Sequence, residues 1–597
     1  MGTDTITNGS IVGIRVSSEG SPVSDKFRIY SITIEKALNG IPEARITILD
    51  GSPDTGKFEA SSSNSFVPGK KIVIEAGYDN SYQKLFEGIV VGQEIQINDQ
   101  VGSALEVICK DPSIKLTIGR KSKGFVQQKD SDAISSVIAA SSLSSTIPST
   151  SITFPILIQF QSTDWDFILK RAEANGFVLN VDNGNISAIN PDYSGSPVLS
   201  LTYGINILNL NLELDARNQL DSVQASSWDY NSQKIISGSS KSSLKGPGNL
   251  SSSTLSAVVG PDNYNLCTPA FLKNDELLQW AKSKVIFSEF SKITGSISIP
   301  GTSKVSPGTI VSLNGVGDRF SGDHYVSAVS HDIQDGNWLT EISVGIPPDL
   351  LSESSGIGSS QLSQLLPPVT GTFSGKVKKI DNDPDGQFRI SVAVNIFCDP
   401  PAEIWCRVSN FYSSNGCGVF FLPEMEDEVL LSFINDDPRY PVIIGSMYAN
   451  ETLKPFEDFT PSSKNPLKGI VSKSKIALEF DDENTVWTLK TTAKNIIEVS
   501  DKDKSIKLTD QHNNTIMMSS SGIAITSDSD VQIKAKGKIT LDANQNIEQK
   551  SSGGDISLAG LNFKAKANVQ CDIDGGAMAS FKSNAQMTIK SSIVMIN

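Results

Sequence analysis

The C-terminal 131 residues of this 597-residue chain, Leu467 to Asn597, contain no proline and carry an eight-residue repeat. Each repeat reads apolar-polar-apolar, and the remaining positions are mostly polar. Two apolar columns result, one of Ile523, Val531, Ile539 and Ile547, the other of Ile525, Ile533 and Leu541. Gly553-Gly554 displaces the pattern locally by one residue, and the columns then resume from Phe563 and Ala565. Strict alternation with a short fixed period is typical of stacked, half-buried strands of equal length.

One octad can bury only two or three apolar side chains, so a lone ribbon would expose both strand edges and a narrow apolar stripe. Three copies wound together would bury the stripe on a common axis and pair every edge. We therefore predict an intertwined trimeric β-helix or β-prism over residues 467–597, with the seven column residues as its core. A single-chain parallel β-helix and an irregular low-complexity tail are the alternatives.

The repeat runs out in the sequence SSIVMIN, an apolar stretch with no charged cluster behind it. Natural proteins normally cover strand ends and exposed apolar side chains of this kind. We expect a separate small protein to bind there, on Ile593, Val594, Met595 and Ile596.

Composition limits the partners. The chain has 51 basic and 66 acidic residues, a net charge of −15, which disfavours nucleic acid and anionic membranes as partners. The N-terminus lacks a basic region followed by an apolar run, and no stretch approaches the roughly 20 apolar residues that span a bilayer. We expect the protein to be made and kept in the cytoplasm unless another route carries it out.

Upstream of the repeat the sequence is mainly β, with alternating strands punctuated by Gly, Asp and Asn. Three helices interrupt them, near 131–140, from an N-cap at Ser162–Asp164 to about Ala174, and near 274–287. The Ser/Gly/Lys-rich stretch from Ser237 to Ser253 is predicted to be an exposed loop. The predicted domains are a first β-barrel (1–110), a small α+β insert (111–205), a second β-barrel (206–350), a linker (351–370), an OB-fold barrel (371–450), a linker (451–466) and a C-terminal β-helix (467–597); residues 1–350 are called the hub below.

Two barrels of similar size in one chain imply pseudo-symmetry. A trimer would present six barrels, which could dock on a six-fold tube. Within the third barrel, we expect the strand from Val429 to Phe433 and the indole of Trp405 to anchor the core.

Catalytic, cofactor and metal sites are not predicted. The acidic run from Glu424 to Glu428, with Asp436 and Asp437 nearby, could suggest paired carboxylates or a calcium site, but a solvated hairpin is the simpler interpretation. His324 and His331 are interpreted as barrel residues, because no G-x-S-x-G nucleophile motif or phosphate-binding loop accompanies them.

Six scattered cysteines (109, 267, 398, 406, 417 and 571) are interpreted as reduced core residues. The OB segment has 6 basic and 11 acidic residues, which argues against nucleic-acid binding there.

Several motifs carry a family resemblance. The segment WCRVSNFYSSNGCGVFFLPEMEDEVLLSFINDDPRYPVIIGSMYAN (405–450) resembles the OB domain of VgrG spike proteins and contractile-phage tail spikes. QFQSTDWDFILKRAEANGF (159–177) is similar to a helix of that family, and VSPGTIVSL (305–313) and GDHYVSAVSHDI (322–333) resemble the second barrel of the phage hub.

The resemblance implies a non-enzymatic, homotrimeric spike at the tip of a type VI secretion system or an extracellular phage-tail-like injection system. It implies Hcp-like inner-tube rings, baseplate proteins, a PAAR-type tip protein and effector cargo as partners. It also implies assembly in the bacterial cytoplasm and delivery outside the cell, where the spike pierces a target membrane. A β-helical polysaccharide-degrading enzyme and a receptor-binding tail protein are the alternatives.

Overall fold

The computed structural model describes residues 11–98, 102–229, 232, 234–261, 263–268, 270–348, 368–394, 397, 401–448, 454–456 and 460–596. The chain divides into two compact units, Met1–Glu457 and Asp458–Asn597. Residues 351–367 of the predicted linker at 351–370 lie outside the described residues. The same holds for residues 451–453 and 457–459 of the predicted linker at 451–466. No helix in the described ranges is both long enough and apolar enough to cross a bilayer.

The chain is mainly β, as predicted. The strands of the first unit are β1 (Val12–Ser18), β2 (Ser21–Pro22), β3 (Arg28–Ala37), β4 (Glu43–Leu49), β5 (Lys71–Tyr78), β6 (Ser81–Asn98), β7 (Gly102–Lys110), β8 (Lys121–Lys129), β9 (Ser144–Thr146), β10 (Thr153–Ser162), β11 (Val178–Asp182), β12 (Asn185–Ile189), β13 (Leu199–Thr202), β14 (Asn209–Leu214), β15 (Ser222–Asp229), β16 (Lys234–Lys241), β17 (Tyr264–Thr268), β18 (Ile293–Pro300), β19 (Ile310–Asn314), β20 (Gly322–Gln334), β21 (Asn337–Val344), β22 (Phe373–Lys379), β23 (Ile390–Val394), β24 (Ala402–Val408), β25 (Ser413–Ser414), β26 (Cys417–Gly418), β27 (Glu428–Phe433) and β28 (Pro441–Ser446). The α-helices are α1 (Asp130–Ala140), α2 (Asp164–Ala174), α3 (Ser252–Val259) and α4 (Asn274–Phe290).

The two predicted hub strand sets each have their own hydrophobic core. They are nevertheless joined in one 13-stranded sheet, in the order β14-β18-β21-β20-β3-β4-β7-β6-β5-β1-β2, with β13 and β19 attached through β20. The junction is the antiparallel pair of β3 and β20, in which Ile34 lies opposite His331. Sequence alternation identified these strands, but it carries no information on which distant strands pair, so it did not reveal this continuity.

The insert has a core of its own between α1, α2 and strands β8 to β12. Helix α2 begins where predicted, because the Thr163 hydroxyl accepts a hydrogen bond from the Asp166 N–H at 3.0 Å. Gly176 follows the helix with a φ of 72°, a left-handed conformation that suits glycine. Strand β13, which the predicted boundaries assign to the insert, pairs in parallel with β19 of the second strand set instead.

A second insert interrupts the second strand set, and sequence analysis did not separate it. Strands β15, β16 and β17 form a three-stranded sheet, which packs on α4 around Leu277, Trp280 and Ala281. The prediction of an exposed loop from Ser237 to Ser253 is wrong at both ends, since β16 extends to Lys241 and α3 begins at Ser252. Gly238 explains part of the error, because a Cβ there would lie 2.7 Å from the Leu278 backbone nitrogen. This glycine marks close packing of a strand on α4 rather than a loop.

The OB segment forms a closed five-stranded barrel in the order β22-β23-β24-β28-β27. The predicted core strand is confirmed, with Val429, Leu431 and Phe433 of β27 buried. Trp405 is not a core anchor, however. Ala402, Ile404 and Cys406 fill the inward positions of β24, so Trp405, between them, is on the other face and only half-buried.

A buried ion network connects the OB barrel to the hub. The Arg439 guanidinium donates to Asp437 Oδ2 at 2.8 Å, and to Glu276 Oε1 of α4 at 2.6 Å. A second buried pair lies in the insert, where Arg171 Nε donates to Asp130 Oδ1 at 2.6 Å. Burial alone would lower the pKa of Arg439, but Asp437, Tyr440 and Glu276 raise it well above its usual value. Arg439 is therefore a fixed cation between two domains.

Both predicted barrel histidines are buried on β20, as expected. His324 Nε2 lies 2.7 Å from the Phe320 carbonyl oxygen, to which it donates, and His331 Nδ1 lies 3.0 Å from Thr340 Oγ1. Burial lowers the pKa of both rings, and for His331, with Lys36 also nearby, the pKa falls to about 3. Both imidazoles are therefore neutral in the folded protein at neutral pH.

The depressed pKa of His331 predicts acid lability of the hub. In the unfolded chain the pKa of this ring is near 6.5. At a pH below that value the unfolded chain binds a proton at His331, whereas the folded chain does not. The free energy of unfolding should therefore fall by about 1.4 kcal/mol per pH unit for this residue as the pH drops from about 6 to about 4. Chemical denaturation across this range measures the slope, and His331→Gln should flatten it by about that amount. An unchanged slope in His331→Gln would contradict the assignment.

Candidate functional site

The second unit contains a seven-stranded antiparallel sheet: β29 (Leu467–Val471), β30 (Ala477–Asp481), β31 (Val486–Lys490), β32 (Ile496–Ser500), β33 (Ser505–Thr509), β34 (Thr515–Ser519) and β35 (Gly522–Thr526). Each strand has five residues and pairs with the next along the chain. Short polar turns fix where the strands end. For example, Asp481 Oδ1 accepts from the backbone N–H groups of Glu483 and Asn484 at 3.0 and 3.1 Å. Asp510 performs the same function for His512 and Asn514.

The strand register gathers the apolar side chains on one face of this sheet. One row across the strands is Ile470, Leu478, Leu489, Ile497, Leu508, Ile516 and Ile525. The second row is Lys468, Phe480, Trp487, Val499, Ile506, Met518 and Ile523. We call these two rows the apolar face. Along each strand they alternate with residues such as Glu479, Glu498 and Lys507, and the other face carries a mixture of polar and apolar side chains, Ile496 and Met517 among them.

No second sheet and no helix covers the apolar face in the described part of its unit. Ile523 and Ile525 are among its most exposed side chains, and the residues along the second half of both rows are more than a third exposed. A groove on this face is lined by side chains that include Leu489, Ile497, Leu508, Ile516 and Ile525. A contiguous exposed apolar surface of this kind marks an interaction site.

Beyond the sheet, residues 527–596 are all described, and none of them is in a strand or helix. The backbone still bends at eight-residue intervals, at 528–529, 536–537, 544–545, 552–554, 561, 568–569, 576–577, 584–585 and 592. This geometry has the period that the sequence predicts. Among the described residues, the segments between these bends form no β-ladder of the kind that a β-helix needs.

The structure places the predicted core residues along one continuous series. Ile523 and Ile525 are on β35 at the end of the apolar face, and Val531, Ile533, Ile539, Leu541 and Ile547 follow in the octads. All seven are 53% to 72% exposed in the single chain, and Ile593, Val594, Met595 and Ile596 are 51% to 89% exposed. Their roles as trimer core and tip-binding residues remain predictions.

Sequence reasoning missed the rows that precede Ile523. Successive strands from β29 to β34 begin nine or ten residues apart, and β35 begins seven residues after β34. A search for a period of eight residues therefore does not align their apolar side chains. The signal was present in the alternation of each five-residue strand, as in IKL or IIEV, but only the register brings the strands together.

The other residues considered for chemistry occupy structural positions. Asp427 Oδ2 accepts from the Glu424 N–H at 2.8 Å, and Lys378 pairs with Glu426 at 2.6 Å, as expected for a hairpin. No group of His, Cys, Asp or Glu in the described ranges could hold a metal ion.

Cys109 and Cys406 are buried, but Cys267, Cys417 and Cys571 are exposed, which corrects the prediction that the cysteines are core residues. Cys398 lies outside the described residues.

Comparison with known proteins places the hub and the barrel in known families. The family described as the type VI secretion system/phage-baseplate injector OB domain matches residues 373–448, the segment that folds as the closed barrel. The family described as the Alg8 N-terminal domain matches residues 8–335, which include the 13-stranded sheet except for β21.

Curated relatives match shorter stretches. The type VI secretion system spike protein VgrG1a of Pseudomonas aeruginosa is 27% identical over 143 residues, which cover 22% of this chain and 22% of VgrG1a. VgrG1b of the same organism is 28% identical over 81 residues, or 14% of this chain and 11% of VgrG1b. The matches thus span about a fifth or less of the length of these relatives.

Among solved structures, a chain of the Francisella PdpA–VgrG complex has a TM-score of 0.52 at 11% identity, over 87% of this chain and 81% of that one. This likeness concerns the fold. The combination of a mainly β hub, an injector-type OB barrel and a C-terminal β unit is the architecture of a VgrG-type spike protein. Because the Alg8 N-terminal domain matches more than half of the chain, the chain belongs to that family.

Proposed function

We propose that this chain is the structural, homotrimeric spike of a contractile injection machine. In this role it adapts a six-fold inner tube to a three-fold needle that is driven through a target membrane, and it performs no covalent chemistry. The apolar face of the second unit is the observation that carries the proposal. Two rows of mainly apolar side chains lie on one face of a sheet, and no second sheet or helix in the described part of that unit covers them.

Other copies of the same chain are the occupants that the repeat favours. Residues 527–596 keep the eight-residue bend but form no β-ladder with any other described residue. Unpaired backbone groups and exposed apolar side chains are both costly, and each buried Ile or Leu contributes roughly 1.5–3 kcal/mol. Two further copies in register would supply the missing strand partners and bury the columns around a shared axis. The continuous hydrogen-bonded ladder would then bear the force of penetration.

The test uses the single cysteine of the repeat. Cys571 is exposed and lies six octads after Ile523, in the same column. In a three-fold arrangement the three thiols would face one another, so a short bis-maleimide should link two chains, and light scattering should report about three times the 64.0 kDa chain mass. Cys571→Ser should abolish the cross-link, whereas Cys267→Ser in the hub should retain it. A monomeric full-length chain would refute the proposal.

The end of the repeat is the proposed seat of a PAAR-type tip protein. Ile593, Val594, Met595 and Ile596 are exposed, so three copies would present a blunt apolar surface. Exchange of Ile593 and Ile596 for Asp should abolish co-purification with a co-expressed PAAR-type protein while the trimer mass stays unchanged. Undiminished co-purification would mean that the tip protein binds elsewhere. Exchange of Ser591 and Ser592 for Asp is the matched control.

The remaining partners follow from the same role. The hub sheet is the proposed contact with Hcp-like tube rings and baseplate proteins, and the spike can carry effector cargo. We propose that it is assembled in the bacterial cytoplasm and leaves the cell as part of the injection particle.

A further inference from the structure

A small polar pocket lies in the hub, remote in sequence from the repeat. Its polar lining comes from Lys36 of β3, Lys84 of β6, Ser303 and Ser306 of the segment before β19, His331 of β20, Asp182 at the end of β11 and the adjacent Asn183. Its volume is about 170 Å³, and the buried side chains of Leu85 and Val305 complete its wall. The pocket therefore has contributions from both hub strand sets and from the insert.

The hydrogen bonds of His331 indicate which of its ring nitrogens can donate to a molecule in the pocket. The Trp338 Nε1–H group can only donate, and it lies 3.4 Å from His331 Nδ1; with Nδ1 as the acceptor of this bond, the Thr340 hydroxyl 3.0 Å away also donates to it. The neutral ring then carries its proton on Nε2. Among the described residues, Nε2 has no hydrogen-bond partner, although His331 is only 3% exposed. Nε2 is not one of the fully buried polar atoms that lack a partner, so this N–H group opens on the pocket and can donate to an acceptor held there.

The charges around the pocket also favour an anion. Lys36 is only 16% exposed, and its ammonium lies 3.5 Å from the Asp182 carboxylate, which is itself 59% exposed. Lys84 pairs with Glu87 at 2.9 Å on the rim. The lining thus contains two ammonium groups and one carboxylate, in a chain whose net charge is −15.

We propose that this pocket binds one small oxyanion, a phosphate or a carboxylate, held by the Lys36 ammonium, the His331 Nε2–H and the Ser303 and Ser306 hydroxyls. The cavity has room for such an ion, since a water molecule occupies only about 30 Å³ in the liquid. Charge-assisted hydrogen bonds to an oxyanion are stronger than neutral ones, so Lys36 should dominate the affinity. Because the ion would contact both hub strand sets, its binding should also stabilise the hub against unfolding.

The test is calorimetric titration of the full-length protein with inorganic phosphate, and separately with acetate, at constant ionic strength set with chloride. We expect saturable binding of one ion per chain. Binding of phosphate alone identifies a phosphate site, and binding of acetate as well identifies a general oxyanion site. Lys36→Met should weaken binding on the order of tenfold or more, because it removes a charged donor.

Two further variants keep the result interpretable. Lys26→Met, at an exposed turn outside the pocket, should bind like the parent, and Ser306→Ala should weaken binding without disturbing the buried His331. Each variant is first shown to melt like the parent in chloride alone. Absence of saturable binding by the parent, or equal binding by Lys36→Met and Lys26→Met, would overturn the proposal.

Discussion

Replacing Ile533 by Asp should abolish the trimer. Ile533 follows Ile525 by one octad and is 72% exposed in the single chain, so in the proposed spike it faces the axis. The substitution would place three carboxylates at one level of an apolar core, at a cost on the order of several kcal/mol for each chain. We expect the variant to lose its three-chain mass in light scattering and to lose the Cys571 cross-link.

The adjacent residue supplies the control. Gln532→Asp introduces the same charge one position earlier, and alternation places that side chain on the opposite face. It should retain the trimer and melt like the parent. Equal behaviour of the two variants would show that the columns do not face a common axis. Loss of the trimer in both would indicate general sensitivity of the octads to charge instead.

Replacing Arg439 by Met should strongly destabilise the first unit. The side chains of Arg439, Asp437 and Glu276 are 6%, 0% and 9% exposed, so the substitution leaves two buried carboxylates without their shared cation. Removing one partner from a buried pair typically costs about 3–5 kcal/mol. Chemical denaturation should show this loss, and proteolysis should detach the OB barrel from the hub at lower denaturant concentrations than in the parent.

The matched control for Arg439 is an exposed arginine. Arg217 pairs with Asp215 at 2.6 Å, but its side chain is 75% exposed. Solvent screens such a pair, so Arg217→Met should have little effect on stability. If Arg439→Met unfolds at the same denaturant concentration as Arg217→Met, the buried network does not hold the barrel to the hub.

These two predictions differ in how far the sequence could anticipate them. The octad columns are a local pattern, so the sequence alone is enough to predict that Ile533 is a core residue of the trimer. The ion network could not be predicted in this way, because Asp437 and Arg439 are separated from Glu276 by more than 160 residues. In the sequence the acidic residues near 436 and 437 look like part of a solvated hairpin, and only their burial against α4 shows that Asp437 belongs to a domain contact.

The local structure of this protein can be predicted from its residues in order along the chain. Alternation identified strands, capping residues such as Thr163 located α2, and the repeat predicted the eight-residue bend, because each depends on interactions between near neighbours. Strand pairing became visible in the folded chain alone. The tertiary structure joined two hub strand sets through β3 and β20, turned Trp405 out of the barrel core and aligned seven short strands into one apolar face. The physical reason is that strand pairing and register follow from packing between residues far apart in the chain, which no local pattern encodes.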